Sequence, residues 1–320
     1  MRTTQSEHGG RVGNLRLCLA VLAVLVAWPA AVEVFAQATS PVVKINEAAA
    51  KADISVERLR GQISVLSGSG GNIVVYSSPE GKLLVDAGIA VSRPKIQAAL
   101  ERLSPAPLKY VVNTHWHWDH SDGNEWLHSL GATIVAQENV LKRLSAETRV
   151  EDWDYTFRPW PSGGRPTLTF KTDKTIKFGG ETVVLKNFGI GHTDGDTIVY
   201  FKRADVLALG DIFWNGYYPF IDNSTGGGID KVILWVNASL ARATNKTVIV
   251  PGHGPTGTRA ELVAFRDMLV AVRENVARLK RQGKTLDEVV AARPTADYDA
   301  KWGGFVINGD FFTRLVYAGL

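Results

Sequence analysis

The chain has 320 residues, a formal net charge of +4 and a single cysteine, Cys18. Charged residues make up 21% and hydrophobic residues 45%, which excludes a disordered or collagen-like chain and suits a packed globular one. No run of lysine and arginine and no aromatic-basic module stands out, so the mild basicity reads as solvated surface and argues against nucleic acid as a partner.

The first residues read as a targeting segment. Arg2, Arg11 and Arg16 precede or flank an apolar run from Leu17 to Val32, which leads to Phe35-Ala36-Gln37-Ala38, a small-x-small cleavage pattern. This predicts a secretory signal peptide over residues 1–38 and a single folded domain over 39–320, periplasmic or secreted, with no stable membrane association after cleavage. The apolar run falls short of the roughly 20 residues that span a bilayer; an uncleaved anchor is the alternative. No Arg-Arg pair suggests the twin-arginine route. Cys18 lies inside the segment, so the mature chain would have neither disulfide nor thiolate chemistry.

Next come short β-rich runs. Residues 62–67 and 73–77 flank Gly68-Ser69-Gly70-Gly71 and read as a hairpin. A strand at 82–85 ends at Asp86-Ala87-Gly88, and Ile96, Leu100 and Leu103 carry a helical period over 93–103. A strand at 109–113, a helix at 123–130, a strand at 132–135 and a helix at 139–146 follow. Residues 148–166 lack a period and hold Trp153, Tyr155, Phe157 and Trp160; such a loop either serves the site or covers its own aromatics. Strands are expected at 167–171, 175–178, 182–187, 197–201, 206–208 and 247–250. Helices are expected at 229–244 and 259–282, with two shorter ones closing the chain. Two blocks, each beginning with strands and ending with helices, predict two packed sheets covered by helices on both outer faces.

Residues Thr114 to His120 read Thr-His-Trp-His-Trp-Asp-His, and no packing need asks for that density of imidazole. Metal ligation does. His115 and His117 end an apolar strand two residues apart, so both project from one face. Asp119 lies two beyond His117, while His120 points elsewhere. His192 and His253 sit in glycine-flanked turns, and Asp211 ends an apolar run. Each of these three alone would read as a turn residue; together with the cluster they read as ligands. That is more than one tetrahedral ion can use and suits two adjacent ions. Asp194 and Asp196 read as turn residues, His128 as a helix-surface histidine, and His8 leaves with the signal.

The pattern His-x-His-x-Asp-His resembles the metallo-β-lactamase superfamily. The resemblance runs from Leu84-Val85-Asp86-Ala87-Gly88 to Pro251-Gly252-His253-Gly254 and rests on separated motifs in the family's order. It implies an α/β fold, a four-layer αββα sandwich, with a two-metal site at one edge of the sheets. It implies His115, His117 and His192 on one ion, Asp119, His120 and His253 on the other, Asp211 bridging both, and Asp86 supporting the histidine loop. Two divalent ions about 3.5–4 Å apart bring a bridging water toward neutral pKa, and the hydroxide attacks a carbonyl or phosphoryl centre. Asp119 would orient that nucleophile and accept its proton. Zinc is the expected metal, and iron or manganese is compatible with the same ligand types.

The substrate is expected to be a small molecule: an ester, lactone, thioester or amide met outside the cytoplasm. A dedicated periplasmic β-lactamase is the runner-up. Asp211 counts against it, because the lactamases proper that the chain resembles generally place cysteine or serine there. A phosphodiesterase and a non-catalytic secreted metal-binding protein are further alternatives; an intact Asp119 argues against the latter. The native metal, the physiological substrate and the oligomeric state are not legible from the sequence.

Overall fold

The computed structural model describes residues 40–320; the expected signal peptide and its cleavage point lie outside the described residues. The described residues open on a helix, α1 (Pro41–Lys51), capped by the Ser40 side chain. A seven-stranded sheet follows: β1 (Ser55–Arg58), β2 (Ile63–Ser67), β3 (Ile73–Ser78), β4 (Gly81–Val85), β5 (Leu108–Val112), β6 (Thr133–Gln137) and β9 (Leu168–Phe170), in that spatial order. β1 to β4 are antiparallel, and β4, β5, β6 and β9 are parallel. The parallel pairs need crossovers, which α2 (Arg93–Leu103), α3 (Trp118–Ser121), α4 (Asn124–Ser129) and α5 (Glu138–Leu144) help supply. β7 (Thr148–Val150) and β8 (Tyr155–Phe157) form a small ribbon inside the segment that lacked a period.

The second sheet is β10 (Asp173–Phe178), β11 (Glu181–Lys186), β12 (Ile198–Phe201), β13 (Val206–Ala208) and β14 (Val248–Val250), antiparallel except for the β13–β14 pair. α6 (Ile229–Leu240) and α7 (Arg259–Arg281) cover it. Three helices close the chain, not the two expected: α8 (Leu286–Ala291), α9 (Ala296–Trp302) and α10 (Gly309–Ala318). Each is short, and glycine and proline between them blur the period. α1 and β1 were not anticipated either.

The side-chain period of two builds the layers. On β4, Leu83 and Val85 face the second sheet, while Leu84 faces Ile96 and Leu100 of α2. On β13, Val206 and Ala208 face inward, while Leu207 packs with the helices outside. Each sheet therefore has two apolar faces, and each buried Val or Leu contributes roughly 1.5–3 kcal/mol relative to exposure. The result is the αββα sandwich. β5, β11, β13 and β14 all end at one edge, so the loops after them meet there, as ligands do outside the carboxyl ends of open sheets.

Candidate metal centre

The loop after β5 runs from Asn113 to His117 and turns into α3. Its shape is held from below by Asp86, which follows β4 with a φ of 67°. Asp86 accepts from the Thr114 backbone N–H at 2.7 Å and from the Thr114 hydroxyl at 2.8 Å. Its Oδ2 also stands 2.9 Å from His120 Nδ1. Burial alone lifts the Asp86 carboxyl above its ordinary range, against the pull of His120 and Thr114. The supporting role that the resemblance implied for this carboxylate thus has a direct geometric counterpart.

All seven candidate ligands are buried and fall into two adjoining groups. His115, His117, His192 and Asp211 offer atoms within 4.8 Å of one another, as do Asp119, His120 and His253. Asp211 joins them. Its Oδ2 faces His115 Nε2 at 3.7 Å and His192 Nε2 at 3.8 Å, while its Oδ1 faces His120 Nε2 at 3.1 Å and His253 Nε2 at 3.5 Å. Asp119 Oδ2 stands 3.2 Å from His253 Nε2 and 3.5 Å from His120 Nε2.

Protein partners alone leave this centre poorly satisfied. His115 Nε2 meets His117 Nδ1 at 3.1 Å, and His120 Nε2 meets His253 Nε2 at 3.4 Å. Both His192 nitrogens are buried without a hydrogen-bond partner. Buried polar groups are rarely left so. Inward-facing imidazole nitrogens and carboxylate oxygens converging at such distances fit divalent cations. The outward nitrogens are anchored instead: His115 Nδ1 lies 3.0 Å from the Thr114 hydroxyl, His120 Nδ1 rests on Asp86, and His117 Nε2 lies 3.1 Å from Asp222 Oδ2. Asp196 Oδ1 faces His192 Nδ1 at 3.6 Å. Such outer carboxylates fix ring orientation in metal sites.

Electrostatics differ between the groups. Burial, then the charge of His120, holds His115 well below its ordinary pKa, and burial lowers His117. Burial also opposes charge on His120, but Asp211, Asp119 and Asp86 together hold it well above. His253 is raised to about 9: Asp211 and Asp119 outweigh its burial. Asp211 and Asp119 are correspondingly lowered, because His120 and His253 outweigh desolvation.

Some expectations need refinement. Asp194 is a turn residue bound to Arg143 at 2.7 Å, but Asp196, read only as a turn residue, also faces His192. Asp222 was missed. It caps the turn at 223–225, accepting from the Thr225 N–H and hydroxyl at 3.1 and 2.7 Å, and no spacing relates it to the histidine motif 105 residues upstream. The long aromatic segment plays both suggested parts: Trp153 lies over His117 with ring centroids 4.8 Å apart, while Phe157 and Trp160 pack in the core. The run after Asp211 divides likewise, with Trp214 and Phe220 lining the cavity and Phe213 buried against Phe265. His128 is half-buried, and its Nδ1 lies 2.8 Å from the Ala132 carbonyl oxygen.

Two glycines make the close approaches possible. A Cβ on Gly252 would stand 2.0 Å from Asp211 Oδ1, and one on Gly71 would stand 2.1 Å from His120 Cε1. Asn72 ties the hairpin turn to the His253 turn, donating to the Pro251 and Gly254 carbonyls at 3.1 and 2.8 Å.

An αββα sandwich with a buried histidine–carboxylate cluster at its strand ends defines the class. The family profile described as the metallo-beta-lactamase superfamily matches residues 66–253, and the chain belongs to that superfamily. It is 25% identical over 257 residues to a linear primary-alkylsulfatase of Pseudomonas sp. (strain ATCC 19151), covering 68% of this chain and 48% of that one. The chain thus spans about half the length of that relative. It is 24% identical to a type 2 metallo-beta-lactamase of Bacillus sp. (strain 170), covering 62% and 72% of the two chains. Among solved structures, a metallo-beta-lactamase from Pontibacter korlensis aligns with TM-score 0.55 and 23% identity, over 68% of this chain and 99% of that one. The sec-alkylsulfatase Pisa1 from Pseudomonas sp. aligns with TM-score 0.63 and 15% identity, over 82% and 50%. At these identities the structural likenesses establish the fold.

Proposed function

We propose that the protein is an exported metal-dependent hydrolase acting on the carbonyl of an ester, lactone, thioester or amide. One observation carries this reading: the two oxygens of Asp211 face different histidine groups, as a carboxylate shared by two cations would. On this reading His115, His117 and His192 hold one divalent ion, Asp119, His120 and His253 hold another, and zinc is the expected metal. When bound, the ion pair supplies positive charge that activates water and stabilises the oxygen on which negative charge develops. The chain's own residues do the rest. Asp119 lines the cavity, and we assign it to orient the attacking water and take its proton on a carboxylate oxygen. Trp153, Trp214 and Phe220 shield the reacting centre from bulk water. Among the described residues no helix is long and apolar enough to cross a membrane; export rests on the sequence of residues 1–38.

A second reading is hydrolysis of a sulfate ester. It is favoured by the similarity to the alkylsulfatases, whose structural match extends over more of this chain than the lactamase match does. The test is a chromogenic panel of ester, lactone, thioester, β-lactam, sulfate ester and phosphodiester, assayed on zinc-reconstituted protein with metal content measured alongside. Turnover of a carbonyl substrate above the sulfate ester supports the first reading, and the reverse order supports the second. A β-lactam hydrolysed near 10⁶ M⁻¹s⁻¹, well within the range of evolved enzymes, would instead make the protein a dedicated lactamase. Two bound ions with no turnover of any member would leave a metal-binding protein.

A further inference from the structure

Beside the histidine–carboxylate cluster lies a cavity of about 450 Å³, within the range that holds a small-molecule ligand. Its walls are unusual in what they lack. Among the described residues, apart from the cluster, the only charged side chain lining it is Lys44, and no serine, threonine, tyrosine, asparagine, glutamine or arginine contributes. One wall is α1, which presents Ile45, Ala48 and Ala49, with Ala52 following at its C-cap. Small residues there leave room where larger ones would fill it. The facing wall is aromatic: Trp118, Trp153, Trp214 and Phe220. The indole N–H of Trp118 is already committed to Asn46 Oδ1 at 2.9 Å, so it offers no donor to a ligand. At the mouth, Phe305 and Val306 follow Gly303-Gly304 and are 47% and 44% exposed although they line the cavity.

The helix wall is a fixed part of the fold. Ser92 donates to the Ala49 carbonyl at 3.1 Å, and Lys95 Nζ donates to the Lys51 carbonyl at 2.9 Å. Ser40, its cap, donates to the Trp153 carbonyl at 2.7 Å and ties the two walls together. Both α1 and the Phe305 segment lie outside residues 66–253, which match the superfamily profile. The helix wall and the mouth of the cavity are therefore built by parts of the chain outside that match, while the aromatic wall lies within it.

We propose that this cavity binds an aliphatic chain, so that the substrate is an amphiphile whose scissile bond lies at the cluster and whose tail lies between α1 and the aromatic wall. This rests on the hydrolase reading for the scissile bond, while the tail site stands on the cavity alone. A sugar or peptide would bury hydroxyls and amides here with few partners, which is costly. An alkyl chain loses nothing by leaving water and covers Phe305 and Val306 as it does so.

The test uses binding, independent of turnover. Tryptophan fluorescence of metal-free protein (residues 39–320) is titrated with acetate, hexanoate and decanoate below their micellar concentrations. At about 0.8 kcal/mol per methylene, affinity rises roughly fourfold per carbon, and decanoate binds at least ~100-fold more tightly than hexanoate. Ala48→Asp sets a carboxylate in the helix stripe, and Phe305→Asp sets one at the mouth; each flattens the dependence on chain length, with folding checked by circular dichroism. Val270→Asp, on the exposed side of α7, leaves it intact. Decanoate binding no tighter than hexanoate overturns the proposal, as does a length dependence unchanged in both Ala48→Asp and Phe305→Asp. A length dependence with no turnover of any zinc-loaded panel substrate would sink the hydrolase reading and keep the tail site. Turnover without length-dependent binding would do the opposite.

Discussion

The two ligand groups differ in how they are prepared for a cation. His115 and His117 lie in the loop after β5, are anchored by Thr114 and Asp222, and are shifted toward the neutral form by burial. His120 and His253 come from opposite sheets and face Asp119 and Asp211, which favour their protonated forms. In one group two of the three imidazoles, His115 and His117, are preset toward the neutral form, and only His192 is raised. The other is an ion-paired cluster that must give up protons before it can ligate. One fold thus builds neighbouring sites with different thresholds, and Asp211 couples them.

Asp119→Asn breaks the second group while sparing the first. The amide keeps the shape and loses the charge, and hydrolytic turnover should fall by at least ~100-fold, in line with loss of a base or a metal-positioning group. Near-wild-type turnover with unchanged metal content would show that Asp119 has no catalytic part.

Gly252→Ala attacks the coupling itself. The new methyl would stand 2.0 Å from Asp211 Oδ1 and 2.7 Å from the Gly210 carbonyl carbon, so Asp211 must move. Affinity should drop in both groups, by up to ~100-fold, the upper range for disturbed metal-site support. Cobalt(II) titration followed by absorbance reads both sites, and loss at only one would refute the shared role.

Asp222→Asn loosens the first group alone. It replaces the carboxylate at 3.1 Å from His117 Nε2 and should weaken cation binding there about tenfold, the lower range for such partners. The second site should keep its affinity. Equal weakening at both, in the same cobalt titration, would mean that Asp222 acts on general stability.

The smallest expected difference is in pH dependence. His253 titrates at about 9 in the cation-free protein, and His120 is also held well above its ordinary value. Both protons must leave on ligation, so affinity at the second group rises with pH at least until about 9. The slope approaches tenfold per unit for each proton displaced. In the first group only His192 is raised, its burial outweighed by Asp196 and Asp211, so its dependence is shallower. Calorimetry in buffers of different ionisation enthalpy counts the protons released. Equal release from both groups would remove the distinction.

Most strands and the main helices were legible because short apolar runs bounded by turns and the 3.6 period are local signals, carried by segments such as Lys82–Val85 and Arg93–Leu103. α1 was not legible, because its stripe is made mostly of alanine, which marks a buried face only weakly, and its role is to wall a cavity. The closing helices were undercounted for the related reason that each is too short to establish a period.

By itself the sequence determined the family, the αββα layering and the seven ligand candidates, because those depend on side-chain alternation and on a motif whose members stand within a few residues of a strand end. The tertiary structure decided what those residues rest on and what they look out upon. Asp222 reaches His117 from 105 positions away, Asp211 turns one oxygen to each histidine group, and α1 meets the Phe305 segment from the far end of the described chain. No local period encodes such meetings; they follow from which strand ends share an edge once both sheets have buried their faces.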